Sequence, residues 1–481
     1  MSTRRALAFS FIDRYAGLIV SILSSMAIAR LLTPAEIGTY SVVMVLLGFI
    51  ATFRDFGAGQ YLVQHKSLDE ESLRSIWSVQ LGLGFGFAAL TAASASLVAS
   101  FYGDARMREI MFVLSLNFAA TPFLAYPNAW LVREMRFGVI AWIRFSGAVV
   151  HALVSIGLAI AGWGPISLAW ANLACTLAGV VMIRLISTAP MPGRPSLRNI
   201  GQVVSFGGRL TIVSMMDTLR TGSPELLLGR MQGLAAAGLF SRGQGLVAMF
   251  QQLVMNAVGA VSLPYFSREA REGRPLGPAF VRVAELVSGL GWPFFGGLAL
   301  LAFPAIRILY GDQWDDAVSP TRWLALASGL ALPSLICGSP LIAAGALNDL
   351  LKGSALSMTL ALAALGVGIG HGLEVVAMCL ALAALPTAAC WLIVARRTLA
   401  FSWATLGAAA ARSLVLTTTT LISPLLTMMA LGWRPENLWL ACIIALPGAI
   451  IGFLAGARLA NHALWEEIAR LVTSLRNKTS Y

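Results

Sequence analysis

The sequence predicts an all-α polytopic membrane protein, and three observations predict it. Apolar stretches of roughly 17 to 30 residues recur from Leu7 to Leu459, and each is long enough to span a bilayer. The 481 residues are 58% hydrophobic and 12% charged, against roughly one-quarter charged in an ordinary soluble domain. The stretches also lack the alternation of a barrel strand, and within hydrocarbon only a helix then satisfies its own backbone.

Taken in order, the spans number about fourteen. The first runs over 7–32. It follows Arg4 and Arg5, and Ala27-Ile28-Ala29 resembles a signal-peptidase site, but Asp13 and Arg14 interrupt the run early and a second run opens at Gly38. We therefore read it as a retained helix. The second to sixth spans cover 38–63, 76–101, 110–132, 137–161 and 165–186. The seventh to twelfth cover 203–228, 235–263, 280–309, 321–347, 354–370 and 373–394, and the last two 406–431 and 438–459. Beyond them Leu464, Ile468, Leu471, Val472 and Leu475 share one helical face beside Trp465, which predicts an interfacial helix.

Orientation follows from the cations. Alternate loops hold Arg4 and Arg5, Lys66 and Arg74, Arg133 and Arg136, Arg194 and Arg198, Arg268 with Arg271 and Arg274, Lys352, Arg396 and Arg397, and Arg470, Arg476 and Lys478. The intervening loops are poorer in cations and carry Glu36, Asp312, Asp315 and Asp316. The positive-inside rule then puts both termini in the cytoplasm, which needs an even number of spans. The net charge of +12 reads as topology and an anionic partner rather than nucleic-acid binding, because the basic residues are scattered through short loops.

The chain also contains a faint duplication. Arg30-Leu31-Leu32-Thr33-Pro34-Ala35-Glu36-Ile37-Gly38-Thr39-Tyr40-Ser41 aligns with Arg230 to Ser241, keeping Arg, Ala, Gly, an aromatic and Ser in register. Each copy closes an odd span and opens the next, so a six-helix unit is repeated. Two pseudo-symmetric six-helix lobes follow, at 1–187 and 200–397, then two additional helices at 398–460 and the interfacial segment at 461–481. An even repeat gives copies of like orientation, an arrangement that places transporter sites at the repeat interface.

No residue set points to catalysis, and no cofactor or metal is implied. Cys175, Cys337, Cys379, Cys390 and Cys442 fall inside apolar runs without a CxxC pair or a neighbouring His. The four histidines are dispersed, and His151, which alone lies within a span, reads as an interior histidine. The informative residues are ionisable groups inside spans: Asp13 and Arg14, Arg54 and Asp55, Arg144, Asp217 and Arg220, Arg242 and Glu285. Each costs at least about 2.5 kcal/mol at a helix centre, so these groups belong at a protein interior or wet cavity. Arginine predominates, and guanidinium grips phosphate bidentately, which makes Arg14, Arg54, Arg144, Arg220 and Arg242 candidate substrate cations. Asp13, Asp55, Asp217 and Glu285 are candidate coupling or pairing carboxylates. Structural pairing competes with the substrate reading, above all for the i, i+3 neighbours Asp217 and Arg220. Asn117, Asn172, Gln244, Gln251, Gln252 and Asn256 serve either a wet cavity or helix-to-helix bonding.

The motifs Arg30 to Tyr40, Asp55-Phe56-Gly57-Ala58-Gly59 with Tyr61-Leu62-Val63-Gln64, Phe101-Tyr102-Gly103-Asp104, and Leu131 to Phe137 resemble the Wzx-type flippases and polysaccharide exporters of the multidrug/oligosaccharidyl-lipid/polysaccharide superfamily. The likeness is dense to about Cys175 and diffuse after it. It implies an inner-membrane flippase of lipopolysaccharide or exopolysaccharide assembly that moves an undecaprenyl-diphosphate-linked glycan by alternating access. Membrane lipid, a polysaccharide polymerase and glycosyltransferases are the further partners it implies. In such flippases cations on the first lobe's cavity helices meet the diphosphate, and Arg14 and Arg54 occupy matching helices. Arg30, Pro34, Gly38 and Gly57 are signature positions, for which a helix-end or turn role competes with substrate contact. The rival readings are a drug/cation antiporter of the same superfamily, whose cargo an arginine-rich interior repels, and a membrane-embedded glycan polymerase, which calls for a long charged loop that the chain lacks.

Overall fold

The structure, a computed structural model, describes residues 3–54, 62, 69–186, 196, 208–432 and 435–476. Asp55, Gly57 and the loop cations Lys66, Arg194, Arg198, Arg434 and Lys478 lie outside them. The described residues hold helices and no strand.

Fourteen helical stretches overlap the predicted spans, the ninth and tenth of which each take in a second short helix, Ala302–Leu309 and Gly338–Ala343. They are α1 (Thr3–Leu31), α2 (Pro34–Arg54), α3 (Glu70–Tyr102), α4 (Arg106–Arg133), α5 (Phe137–Ile160), α6 (Ile166–Ile186), α7 (Gly208–Met231), α8 (Leu234–Arg271), α9 (Leu276–Leu300), α10 (Val318–Leu335), α11 (Leu347–Gly368), α12 (Leu373–Leu399), α13 (Trp403–Leu431) and α14 (Leu438–Leu459). A further helix, α15 (Ala463–Arg476), carries the amphipathic face. Twelve of the fourteen are long and apolar enough to cross a membrane by length and composition. The other two are α1, with a shorter apolar part over Ala16–Leu31, and α7, whose Arg209, Asp217, Arg220, Glu225 and Arg230 lower its hydropathy.

Local chemistry explains the element ends. Thr33 and Glu36 form a capping box at the start of α2: Thr33 Oγ1 accepts from Glu36 N–H (3.3 Å), and Glu36 Oε2 accepts from Thr33 N–H (2.9 Å). Pro34 occupies the first helical position, where its missing N–H is no loss. At the other end of α3, Gly103 adopts φ 74° and its N–H meets the Ala99 carbonyl, the left-handed stop that favours glycine. Midway along α8 a π-helical turn over Gln251–Met255 leaves Gln251 and Gln252 exposed.

The chain divides into two compact units, 1–238 and 239–481. In the first, α3 packs on α4, α1 on α5 and α2 on α7. Its core gathers Val42, Val43, Ala95, Met107, Ile110, Met111, Leu114 and Phe118. In the second, α13 packs on α14 and α9, and α10 on α12. There the rings of Phe250, Phe294 and Phe295 pack in tilted and edge-to-face pairs, with centroids no more than 5.3 Å apart.

Candidate functional site

Within the first unit, charged positions of different helices are brought to one level. Thr52 and Thr218 share a hydrogen bond of 3.2 Å between α2 and α7. Thr52 lies two residues before Arg54, and Thr218 sits between Asp217 and Arg220, so the end of α2 stands beside the charged stretch of α7. Arg220 donates to Asp217 Oδ1 at 2.7 Å. That pair is partly open, with the Asp217 side chain 62% exposed, and an exposed ion pair is worth at most about 1 kcal/mol. Arg220 can therefore exchange its carboxylate for a phosphate at small cost.

Asp13 and Arg14 stand about three turns into α1, and Arg144 about two turns into α5, on the helix that α1 packs along. Arg144 is exposed and forms no ion pair among the described residues. A bare guanidinium on a membrane helix is expensive in lipid and economical in a wet cavity that takes an anion.

The remaining candidates sit elsewhere. Arg242, on α8 in the second unit, lies over the rings of Tyr310 and Trp314 at 5.3 and 5.5 Å, so it braces the segment that leads into α10. Glu285, on α9, is 5% exposed and fully engaged. Its Oε2 accepts from Arg412 on α13 (2.8 Å), and its Oε1 accepts from Ala463 N–H at the start of α15 (3.1 Å). Arg30 is exposed at the end of α1. Gly38 meets α8 at backbone contact: a Cβ there would lie 1.7 Å from the Leu234 carbonyl oxygen. Asn172 donates to Tyr40 Oη and so ties α6 to α2. His151 is half-buried.

Sequence reasoning missed three features. Glu225, 7% exposed in α7, follows Pro224, and Arg412 interrupts the alanine run that opens α13; both were visible as charges inside apolar stretches. The third is a second mark of duplication. Tyr102-Gly103-Asp104 after α3 recurs as Tyr310-Gly311-Asp312 after α9, with both glycines at positive φ (74° and 100°). In the first copy Asp104 accepts from Thr39 Oγ1 (2.9 Å) and Arg106 (2.9 and 3.0 Å). Burial raises the affinity of Asp104 for a proton, but those bonds, chiefly from Arg106, prevail and hold its carboxyl below the usual range.

Two units rich in membrane-length helices define a multi-pass membrane protein. The fold is that of known transporters. A lipid II flippase, MurJ, in an inward closed conformation superimposes with a TM-score of 0.75, covering 95% of this chain and 99% of that one at 12% identity. An inward-facing multidrug transporter of the MATE family follows at 0.66, covering 81% and 98% at 12% identity.

The chain belongs to the polysaccharide biosynthesis protein family, whose family model matches residues 27–319. It is 24% identical over 306 residues to a succinoglycan biosynthesis transport protein of Rhizobium meliloti, covering 64% of this chain and 62% of that protein. It is 22% identical over 321 residues to the lipopolysaccharide biosynthesis protein WzxC of Escherichia coli, covering 66% and 65%. The matched stretch thus spans somewhat under two thirds of each of these relatives.

Proposed function

We propose that the protein is a flippase, not an enzyme, that carries an undecaprenyl-diphosphate-linked oligosaccharide across the bacterial inner membrane by alternating access, for exopolysaccharide or lipopolysaccharide assembly. Both termini are cytoplasmic in this reading, and the six-helix lobes are 1–187 and 200–397. A polymerase and glycosyltransferases act beside it on the same lipid. The observation that carries the reading is the level shared by Arg54 and Arg220 through the Thr52–Thr218 bond, with Arg14 and Arg144 on the packed pair α1 and α5. Four guanidinium groups on helices of a membrane protein suit a diphosphate, which is doubly anionic and offers bidentate acceptors. Arg242 and Glu285 have partners of their own, which supports anchoring roles for both.

In alternating access, substrate enters from one leaflet, its charge is exchanged for that of local carboxylates, and the glycan crosses in a wet cavity while the polyprenyl tail stays in lipid. Asp217 is the carboxylate positioned for that exchange with Arg220. The test is export per correctly inserted molecule in a strain lacking the chromosomal copy. Arg54→Ala, Arg144→Ala and Arg220→Ala should abolish export while leaving the protein in the membrane, with Lys restoring part of it. Wild-type export by all three Ala variants refutes the arginine site. Unchanged glycan together with raised sensitivity to cationic dyes in the deletion strain favours the antiporter.

A further inference from the structure

The second unit contains an apolar cavity of about 200 Å³ between α9, α10, α12 and α13. Val287, Trp292, Ile336, Leu392, Leu406 and Ala410 form its walls. The polar groups at its edge are all engaged. Ser288 Oγ shares a hydrogen bond with Ser413 Oγ (2.8 Å), and Trp292 Nε1 donates to the Gly329 carbonyl (3.0 Å). The Glu285 carboxylate is held by Arg412 and Ala463 N–H. A bound water needs two to four polar partners, and this cavity offers none free. Hydrocarbon suits it, and sugar does not.

The end of the cavity toward the α12–α13 turn is cationic. Arg396 lies one turn beyond Leu392 on the same face of α12, about 6 Å along the axis. Its guanidinium sits 5.2 Å from the centre of the Trp403 ring, and Trp403 is three residues before Leu406. Trp403 is 41% exposed, as expected of an indole at headgroup depth. Arg396 and Arg397 are both exposed, and neither pairs with a carboxylate among the described residues.

We propose that this is a binding site for one anionic phospholipid, with its acyl chain in the cavity and its phosphate on Arg396 and Arg397 beside Trp403. The charge decides the class: two unpaired guanidinium groups beside a dry apolar slot match a phosphodiester joined to a hydrocarbon chain, whereas a neutral headgroup offers them no anion and a zwitterionic one brings a third cation to the two already there. The flippase reading enters only in assigning the lipid to the cytoplasmic leaflet. The site is separate from the arginine level of the first unit.

The test counts lipid on the isolated protein and is independent of export. Full-length protein extracted from membranes of phosphatidylglycerol and phosphatidylethanolamine is examined by native mass spectrometry. Wild type should retain one phosphatidylglycerol that Arg396→Gln/Arg397→Gln loses, and Ala410→Phe, which fills the slot, should lose it too. Equal retention by all three proteins, or equal retention of phosphatidylethanolamine, overturns the proposal. Should Ala410→Phe fail to fold, phosphatidylglycerol bearing a diazirine on its acyl chain serves on the wild type: label on the peptides holding Leu392 and Leu406 supports the site, and label confined to other helices overturns it.

Discussion

Gly38 and Gly238 face each other as equals. A Cβ built on Gly38 would lie 1.7 Å from the Leu234 carbonyl oxygen and 2.9 Å from Gly238 N, and one built on Gly238 would lie 2.0 Å from the Pro34 carbonyl oxygen and 2.9 Å from Gly38 N. These are the residues that the sequence duplication aligns, Gly38 with Gly238 and Pro34 with Leu234. At these two glycines the repeated motifs therefore meet reciprocally. The contact accounts for glycine at that place in both copies, since any side chain would strike the partner's backbone.

Gly38→Ala should destabilise the protein by about 3 kcal/mol, the upper end for overpacking, because the obstacle is backbone and cannot rotate away. Gly238→Ala should do the same. The double variant should cost less than the sum, because helices parted by one methyl leave room for the second. Gly48→Ala, where nothing lies within 4 Å, should be near neutral. Thermal unfolding in detergent reads all four, and additivity of the two clashes would argue against reciprocal contact.

How much of this was legible in the chain depends on the length scale of the signal. Span-length apolar runs force helices whatever their neighbours, so the fourteen segments were legible, including α7, where charges dilute the hydropathy. The motif Thr33-Pro34-Ala35-Glu36 already spelled a capping box, and Gly38 with Gly238 stood out by alignment alone. Partner choice was not legible. Whether Glu285 faces a cavity or Arg412, and whether Arg242 meets substrate or the rings of Tyr310 and Trp314, is decided by residues tens to over a hundred positions away. No periodicity carries that information. The Tyr-Gly-Asp repeat was present in the sequence and passed over, because three residues are a weak match until both glycines show positive φ.

Thr33→Ala should cost about 1 kcal/mol through loss of the cap, and Asp104→Asn should remove part of the acid sensitivity. The proton affinity of Asp104 is lowered on folding, so its contribution is complete above the ordinary carboxylate range and fades as pH falls through and below it. Unfolding midpoints measured from pH 7 down to pH 3 should fall less steeply for Asp104→Asn than for wild type. Parallel curves would show that the Thr39 and Arg106 bonds add nothing to stability.

His462 makes the opposite kind of switch. It is fully buried between α14 and α15, its Nδ1 accepts from Leu464 N–H (3.1 Å), and its Nε2 pairs with Ser413 Oγ (3.0 Å). Burial, and secondarily the charge of Arg412, lowers its proton affinity against the opposing pull of Glu285. A histidine kept neutral by folding must be paid in stability as pH drops through its ordinary value of about 6.5, because the unfolded chain then binds the extra proton. Trypsin should cut within α15 faster at pH 5.5 than at pH 7.5. His462→Asn, which keeps an acceptor for Leu464 N–H, should flatten that difference, and an unaltered pH dependence would exclude His462 as its source.

Glu285 and Arg412 supply the sharpest division between a coupling carboxylate and an anchor. Glu285 is buried and serves two elements at once, neutralising Arg412 and capping the first free N–H of α15, which Arg282 further ties through Glu466 and Glu467 at 3.3 and 3.1 Å. Removing the acid alone leaves Arg412 unmatched and the helix start uncapped, whereas removing both charges leaves only the lost cap. Glu285→Gln should therefore lower the amount of folded protein and loosen α15. Glu285→Gln combined with Arg412→Met should recover much of that loss, and export per folded molecule should stay near wild type in both. A coupling role predicts the reverse: folded amount unchanged, export abolished, and no rescue by Arg412→Met. Yield and export measured on the same membranes separate the two outcomes.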